Sequence, residues 1–126
     1  MSNSAYNLIK NALDATELRQ QMISSNIANV NTPDYKVNKV DFENRLEKAY
    51  DGIGMKKTNV RHIGIGSPDE VLPIVTKRTN SIVKENGNNV DIDMEMTDEA
   101  ATTIQYNALV AQLNAKYSML YSAITK

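Results

Sequence analysis

Cysteine and tryptophan are missing from the 126 residues, and phenylalanine occurs once. The lack of cysteine excludes disulfides and thiolate metal sites and leaves the redox compartment open. With so few large aromatics, the 41% of hydrophobic residues comes mainly from Ala, Ile, Leu, Val and Met beside six Tyr, so a self-contained core of ordinary aromatic content is not expected. Neither charge sign dominates: 14 Lys and Arg face 15 Asp and Glu, a formal net charge of -1, which supplies no general pull towards nucleic acid or anionic lipid. No apolar run approaches the roughly 20 residues of a membrane span. Met1 to Lys10 also lacks the charged start and apolar core of a cleaved secretory signal, so any passage out of the cytoplasm is expected to use another route. At this length a single domain is expected.

What is present is organised as helix, irregular middle, helix. Between Ser4 and Val30 the polar residues Lys10, Asp14, Glu17, Gln21, Ser24 and Ser25 fall within one narrow arc at helical spacing. Leu8, Ile9, Leu13, Leu18, Met22, Ile23 and Ile27 occupy most of the rest, although Arg19 interrupts them. Apolar coverage this wide predicts neighbours on more than one side. Pro33 ends the helix, because it disfavours helical backbone at Thr32 and cannot donate a hydrogen bond. A short second helix is expected over Asp41 to Tyr50 with Asp41 as its cap. Residues 51–89, with Gly52, Gly54, Gly64, Gly66, Pro68 and Pro73, read as loop with short strands, and Asn86 to Asn89 as a turn. Val90 to Met96 alternates apolar and acidic residues, the pattern of a half-buried extended segment. Thr97 then caps a helix from Asp98 to about Thr125, about 40 Å long.

The last helix carries two seams. Tyr106, Val110, Leu113, Tyr117, Leu120 and Ile124 recur at alternating steps of four and three, the rhythm of a coiled-coil seam. Ala101, Ile104, Ala108, Ala111, Ala115, Ser118 and Ser122 keep that rhythm on the opposite side, and nearly all are small. Between Ala100 and Thr125 the only charge is Lys116, which is unlike a solvent-facing helix. The first helix, through Ile9, Leu13, Ile23 and Ile27, is the natural antiparallel partner of the bulky seam. The small face is then left for another subunit. Burial of both faces inside one larger domain is the competing explanation, and the mostly polar middle argues against it.

Catalytic chemistry is not expected. The lone His62 has no second His and no nucleophile motif around it. Asp91, Asp93, Glu95, Asp98 and Glu99 could suggest calcium, but the sixth position of a loop counted from Asp91 is Met96, where an EF-type loop needs Gly. No glycine pair completes a phosphate-binding pattern, and Lys56, Lys57 and Arg61 form only a small basic cluster. No enzyme activity, cofactor, metal or nucleic-acid partner follows from these residues.

The segment from Ser24 to Lys36 reads SSNIANVNTPDYK. It resembles the signature of flagellar rod and hook proteins, in which Asn-x-Ala-Asn leads to Thr-Pro-x-Tyr. Asn26, Ala28, Asn29, Thr32, Pro33, Tyr35 and Lys36 match. Asp34 stands where members often carry Gly, and its smaller freedom at positive φ predicts a local difference in the turn. Val40-Asp41-Phe42-Glu43, Leu46, Arg61-His62-Ile63 and Asn88-Asn89-Val90-Asp91-Ile92-Asp93 resemble the FlgB family of proximal rod proteins in particular.

The resemblance implies a structural subunit that assembles with itself and other rod proteins at the basal-body base, in a tube crossing the cell envelope. It also implies export by the flagellar type III apparatus without a cleaved signal, and paired terminal helices as the assembly layer. The expected architecture is therefore mainly α, with long N- and C-terminal helices paired antiparallel in coiled-coil fashion around a small irregular, strand-containing middle. Residues 1–32 with 97–126 would form the assembly domain and 33–96 the middle segment. A coiled-coil adaptor acting on one partner, and a carboxylate-dependent metalloprotein, are the rival functions.

Overall fold

The computed structural model describes residues 3–52 and 66–126. Its elements run α1 (Asn3–Ala28), β1 (Asn38–Asp41), α2 (Glu43–Asp51), a single 3-10 turn (Pro68–Glu70), β2 (Ile74–Lys77) and α3 (Ile92–Thr125). The chain is mainly helical, and its two long terminal helices pack together. Three contacts fix their sense. Tyr6 faces Tyr117 with ring centroids 6.4 Å apart, Arg19 reaches Gln105 and Asn26 reaches Glu95, so position rises along α1 as it falls along α3. The pair is antiparallel. At 34 residues α3 is about 50 Å long, and among the described residues no helix is long and apolar enough to cross a membrane.

The wide apolar arc of α1 has the several neighbours that it needs. Besides α3, this helix packs on β1 and on the 3-10 turn. Its Ala15 joins Phe42, Ala49 and Val71 in a small buried cluster, flanked by Ala12 and Leu46. The one Phe of the chain is thus the largest piece of this core, which links α1 to the short helix α2 through side chains. β1 and β2 form an antiparallel pair in which Asn38 stands opposite Lys77 and Asp41 opposite Ile74.

The caps and the short strands differ in detail from the sequence reading. Asp41 does not cap α2; it ends β1, and the N-cap position falls to Phe42, which makes no side-chain capping bond. The strand β1 itself has no alternating apolar signature, since only Val40 of its four residues is buried. The run Ser81 to Val83 forms no strand, and Ile82 is almost wholly exposed. Val90 to Met96 is not extended either. Asp91 caps α3 by accepting from the amides of Asp93 and Met94, so the helix starts at Ile92 rather than Asp98.

The failed alternation has a physical reason. Acids at the start of a helix are favoured by its dipole, and a side-chain acceptor at Asp91 satisfies two otherwise orphaned amides. Once residues 92–96 are helical, period-two faces no longer exist. Ile92, Met94 and Met96 are left exposed and Glu95 is buried, the reverse of the extended reading. Arg61-His62-Ile63, Lys56 and Lys57 lie outside the described residues.

Because Phe42 dominates the buried cluster, Phe42→Ala is expected to cost about 3 kcal/mol or more. The shift of the urea midpoint, read by far-ultraviolet circular dichroism, measures it.

Candidate functional site

The residues that join α1 to α3 are mostly amides. After Ala28 the helix unwinds through turns: the amide of Asn29 still donates to the Ser25 carbonyl at 3.1 Å, and that of Thr32 to the Asn29 carbonyl at 3.0 Å. The Asn29 side chain adds a second bond to Ser25 O, 2.8 Å, and receives one from Thr32 Oγ1, 3.0 Å. Thr32, Pro33, Asp34 and Tyr35 then form a turn closed by a Tyr35 N to Thr32 O contact. Pro at its second position and Asp34 at φ 58° match the requirements of a type II turn. Asp34 takes a positive φ although it is not glycine. Asp adopts the left-handed region that glycine would supply, which its short polar side chain tolerates.

Asn88 and Asn89 meet this exit from the far end of the middle segment. Asn88 is fully buried; its Nδ2 donates to the carbonyls of Asn29 and Thr32, each at 2.8 Å, while its Oδ1 accepts from Val90 N at 2.8 Å. Asn89 Oδ1 accepts from Val37 N at 2.7 Å, and its Nδ2 donates to Arg78 O and Ser81 Oγ. Asp34 N donates to Asn86 O, Asn89 N to Tyr35 O, and Lys36 Nζ to Gly87 O. Gly87 is required here. Its φ is +84°, and a Cβ would collide with Asp34 Oδ1.

A second cluster centres on Asn26, which is also buried. Its Nδ2 donates to Asn38 O (2.9 Å) and Glu95 Oε2 (3.0 Å), and its Oδ1 accepts from Asn38 N and from the Tyr35 hydroxyl. Glu95 is only 2% exposed and no cation lies within salt-bridge distance among the described residues. Burial raises its pKa above the usual value of 4.5; the Asn26 bond and the charge of Arg78 oppose the rise, and Asp98 and Asp91 add to it. Nearby, Arg19 forms a two-bond pair with Glu43 at 2.7 and 2.8 Å. Burial pushes the Glu43 carboxyl up, but the bond from Arg19 and its positive charge outweigh that, and its pKa is lowered overall.

These clusters make one polar clasp that orients the exit of α1, the strand β1 and the entry to α3. Among the described residues no group of three or more His, Asp or Glu side chains is placed to hold a metal ion.

The comparisons with known proteins agree on one identity. A family model described as Flagella basal body rod protein matches residues 10–36, the stretch that runs into the clasp. Flagellar basal body rod protein FlgB of Bacillus subtilis (strain 168) is 39% identical over 117 residues, covering 93% of this chain and 90% of that protein. The chain belongs to the FlgB family. The FlgB proteins of Borreliella burgdorferi, 33% identical over 90% of both chains, and of Aeromonas hydrophila, 29% identical over 97% of this chain and 93% of that one, are further relatives.

In this FlgB-family chain the motif residues separate into two groups. Asn26, Asn29, Thr32, Tyr35 and Lys36 all enter the clasp, whereas Ala28 is exposed at the helix end and Pro33 is exposed in the turn. On the pairing face, Ile9 and Ile23 are buried and Leu13, Ile27, Val110 and Leu113 are half-buried; Tyr106, Tyr117, Leu120 and Ile124 are exposed. The register explains part of this. Tyr117 already faces Tyr6, so Ile124 extends past Asn3, the first residue of α1. The small face, Ala101, Ile104, Ala108, Ala111, Ala115, Ser118 and Ser122, is exposed throughout.

Sequence reasoning missed Asn38, Glu95 and the burial of Asn88 and Asn89. An asparagine doublet beside a turn was the available signal for the last two; nothing local marks Glu95.

Two outcomes follow for the clasp. Asn88→Ala removes bonds to two carbonyls and one amide and is expected to cost about 2–3 kcal/mol, measured by urea unfolding. Glu95 binds its proton more tightly folded than unfolded, so its contribution is present below 4.5 and is lost as pH rises through the raised folded value. Glu95→Gln keeps an acceptor for Asn26 and is expected to stabilise the protein at neutral pH while flattening the fall in unfolding midpoint between pH 4.5 and neutrality. An unchanged pH profile would remove Glu95 from that role.

Proposed function

We propose that this chain is a structural subunit of the flagellar basal-body rod, not an enzyme, and that it assembles through its terminal helices with other rod proteins into the envelope-spanning drive shaft. Family membership supports the rod assignment. The observation that carries the assembly reading is the state of α3. Ile104 and Tyr121 are each 71% exposed and Ile124 81%, on a helix whose only charge from Ala101 to Thr125 is Lys116. An apolar, nearly uncharged surface of that length is an interaction surface rather than a solvated one.

Two flanks of α3 divide the work in this reading. The side facing α1 holds the subunit together, and the small-residue side from Ala101 to Ser122 admits a neighbouring helix at close range. Residues 1–32 and 97–126 act as the assembly unit and 33–96 as the outer portion. The clasp sets the angle between the two, because Asn26 bonds both Glu95 of α3 and Asn38 of β1, and Asn88 bonds the exit of α1. The partners are further rod subunits and the base of the basal body, reached by type III export without a cleaved signal. A shaft built this way carries torque through packed helices whose exits are fixed.

Deletion of the gene is expected to abolish flagella, scored by electron microscopy. Ala108→Glu or Ala111→Glu places a carboxylate on the small face and is expected to block rod assembly while the subunit is still exported. Cells that carry both changes and still bear filaments and swim normally would remove the small face from the contact.

A further inference from the structure

We propose that Asn86 is a spontaneous deamidation site whose reactivity is gated by closure of the asparagine clasp. It is the one asparagine of the chain that precedes a glycine. With no side chain on residue 87, the Gly87 amide nitrogen meets the least obstruction in reaching the Asn86 Cγ, and the reaction is intramolecular. The nitrogen bonds to Cγ and gives its proton to solvent, the side-chain nitrogen leaves as ammonia, and a succinimide ring closes. Water then adds to either ring carbonyl and breaks its bond to nitrogen, leaving aspartate or isoaspartate at position 86. Water is the only co-reactant.

The fold cannot avoid this chemistry by changing residue 87. A positive φ and the close approach of Asp34 both demand glycine there. Asn86 is itself exposed, so solvent base reaches it. What the closed clasp does is hold the reacting atoms in place. Gly87 N donates to Lys84 O at 2.9 Å, Asn86 O accepts from Asp34 N at 2.9 Å, and Asn86 Oδ1 accepts from Asn88 N at 3.2 Å. Lys36 Nζ holds Gly87 O. Ring closure needs the Gly87 amide released and the peptide rotated, which breaks these bonds together. Asn88 and Asn89, next in the chain, are buried with their side chains engaged.

The consequence is one-way. Isoaspartate inserts a methylene into the main chain between the bonds that close the turn, and either product sets a new carboxylate near Asp34. With the added methylene the clasp cannot re-form in its register, and with aspartate it closes against a like charge, so a subunit left open too long closes less readily.

The test compares the full chain under native conditions with the same chain in urea, at one mildly alkaline pH and temperature. Readouts are the mass gain of about 1 Da per event and peptide mapping with isoaspartyl methyltransferase labelling. In urea Asn86 is expected to react before every other asparagine, and natively at least about tenfold more slowly, the suppression reporting the fraction of open clasp. Asn88→Ala is expected to bring the native rate towards the urea rate. Lys36→Met, which removes a single bond to Gly87, serves if the first variant does not fold and is expected to raise the native rate measurably. Modified protein is expected to melt at a lower temperature than fresh protein. Equal rates in the two conditions, first reaction at another asparagine such as Asn80, or identical melting of modified and fresh protein would overturn the proposal.

Discussion

The Asn88 amide group, buried between the end of α1 and the start of α3, answers two carbonyls and one amide with one side chain. Each of those backbone groups lies where a regular element has just ended or not yet begun, so no helical partner is available for it. Leaving one of them unpaired in the interior would cost about 1–3 kcal/mol, more than a made bond contributes. The rest of the molecule inherits its geometry from this solution. The exit direction of α1, the position of β1 and the first turn of α3 all follow from where the buried amides sit.

Asparagine suits the task because its side chain carries a donor and an acceptor in one plane and no charge. Asn26 shows the same economy: one NH2 group serves a backbone carbonyl and Glu95, while its oxygen takes a backbone amide and a tyrosine hydroxyl. Glu95 is the costly member, a carboxyl held by an amide, with no salt-bridge partner among the described residues and only the more distant charge of Arg78 to offset its burial. Polar interiors of this kind specify one arrangement over near alternatives. In an antiparallel helix pair with few bulky contacts, apolar packing alone would permit slippage by a turn. The Asn26 to Glu95 bond at one end and the Tyr6 to Tyr117 contact near the other define a single register.

The small core has a complementary character. Alanines at 15 and 49 let elements approach, and Phe42 and Val71 fill the space between them. Little apolar area is buried per residue of α3, whose C-terminal half is exposed along much of its circumference. In the proposed assembly neighbouring subunits would cover this surface, and stability would be shared with them.

The two terminal helices, the break at Pro33, the near absence of charge from Ala100 to Thr125 and the family signature are local or periodic properties, and the amino-acid order by itself determined them. The start of α3, the β1–β2 pairing and the clasp belong to the tertiary structure. The alternating Val90 to Met96 suits a strand or a helix start equally well until Asp91 finds two amides to cap. Asn88 and Asn29 are 59 positions apart, and Asn26 and Glu95 are 69 apart; hydrogen bonds over such separations leave no periodicity to read. A polar residue in a pattern looks like surface, and only the folded chain, by surrounding it with backbone groups in need of partners, turns it into interior.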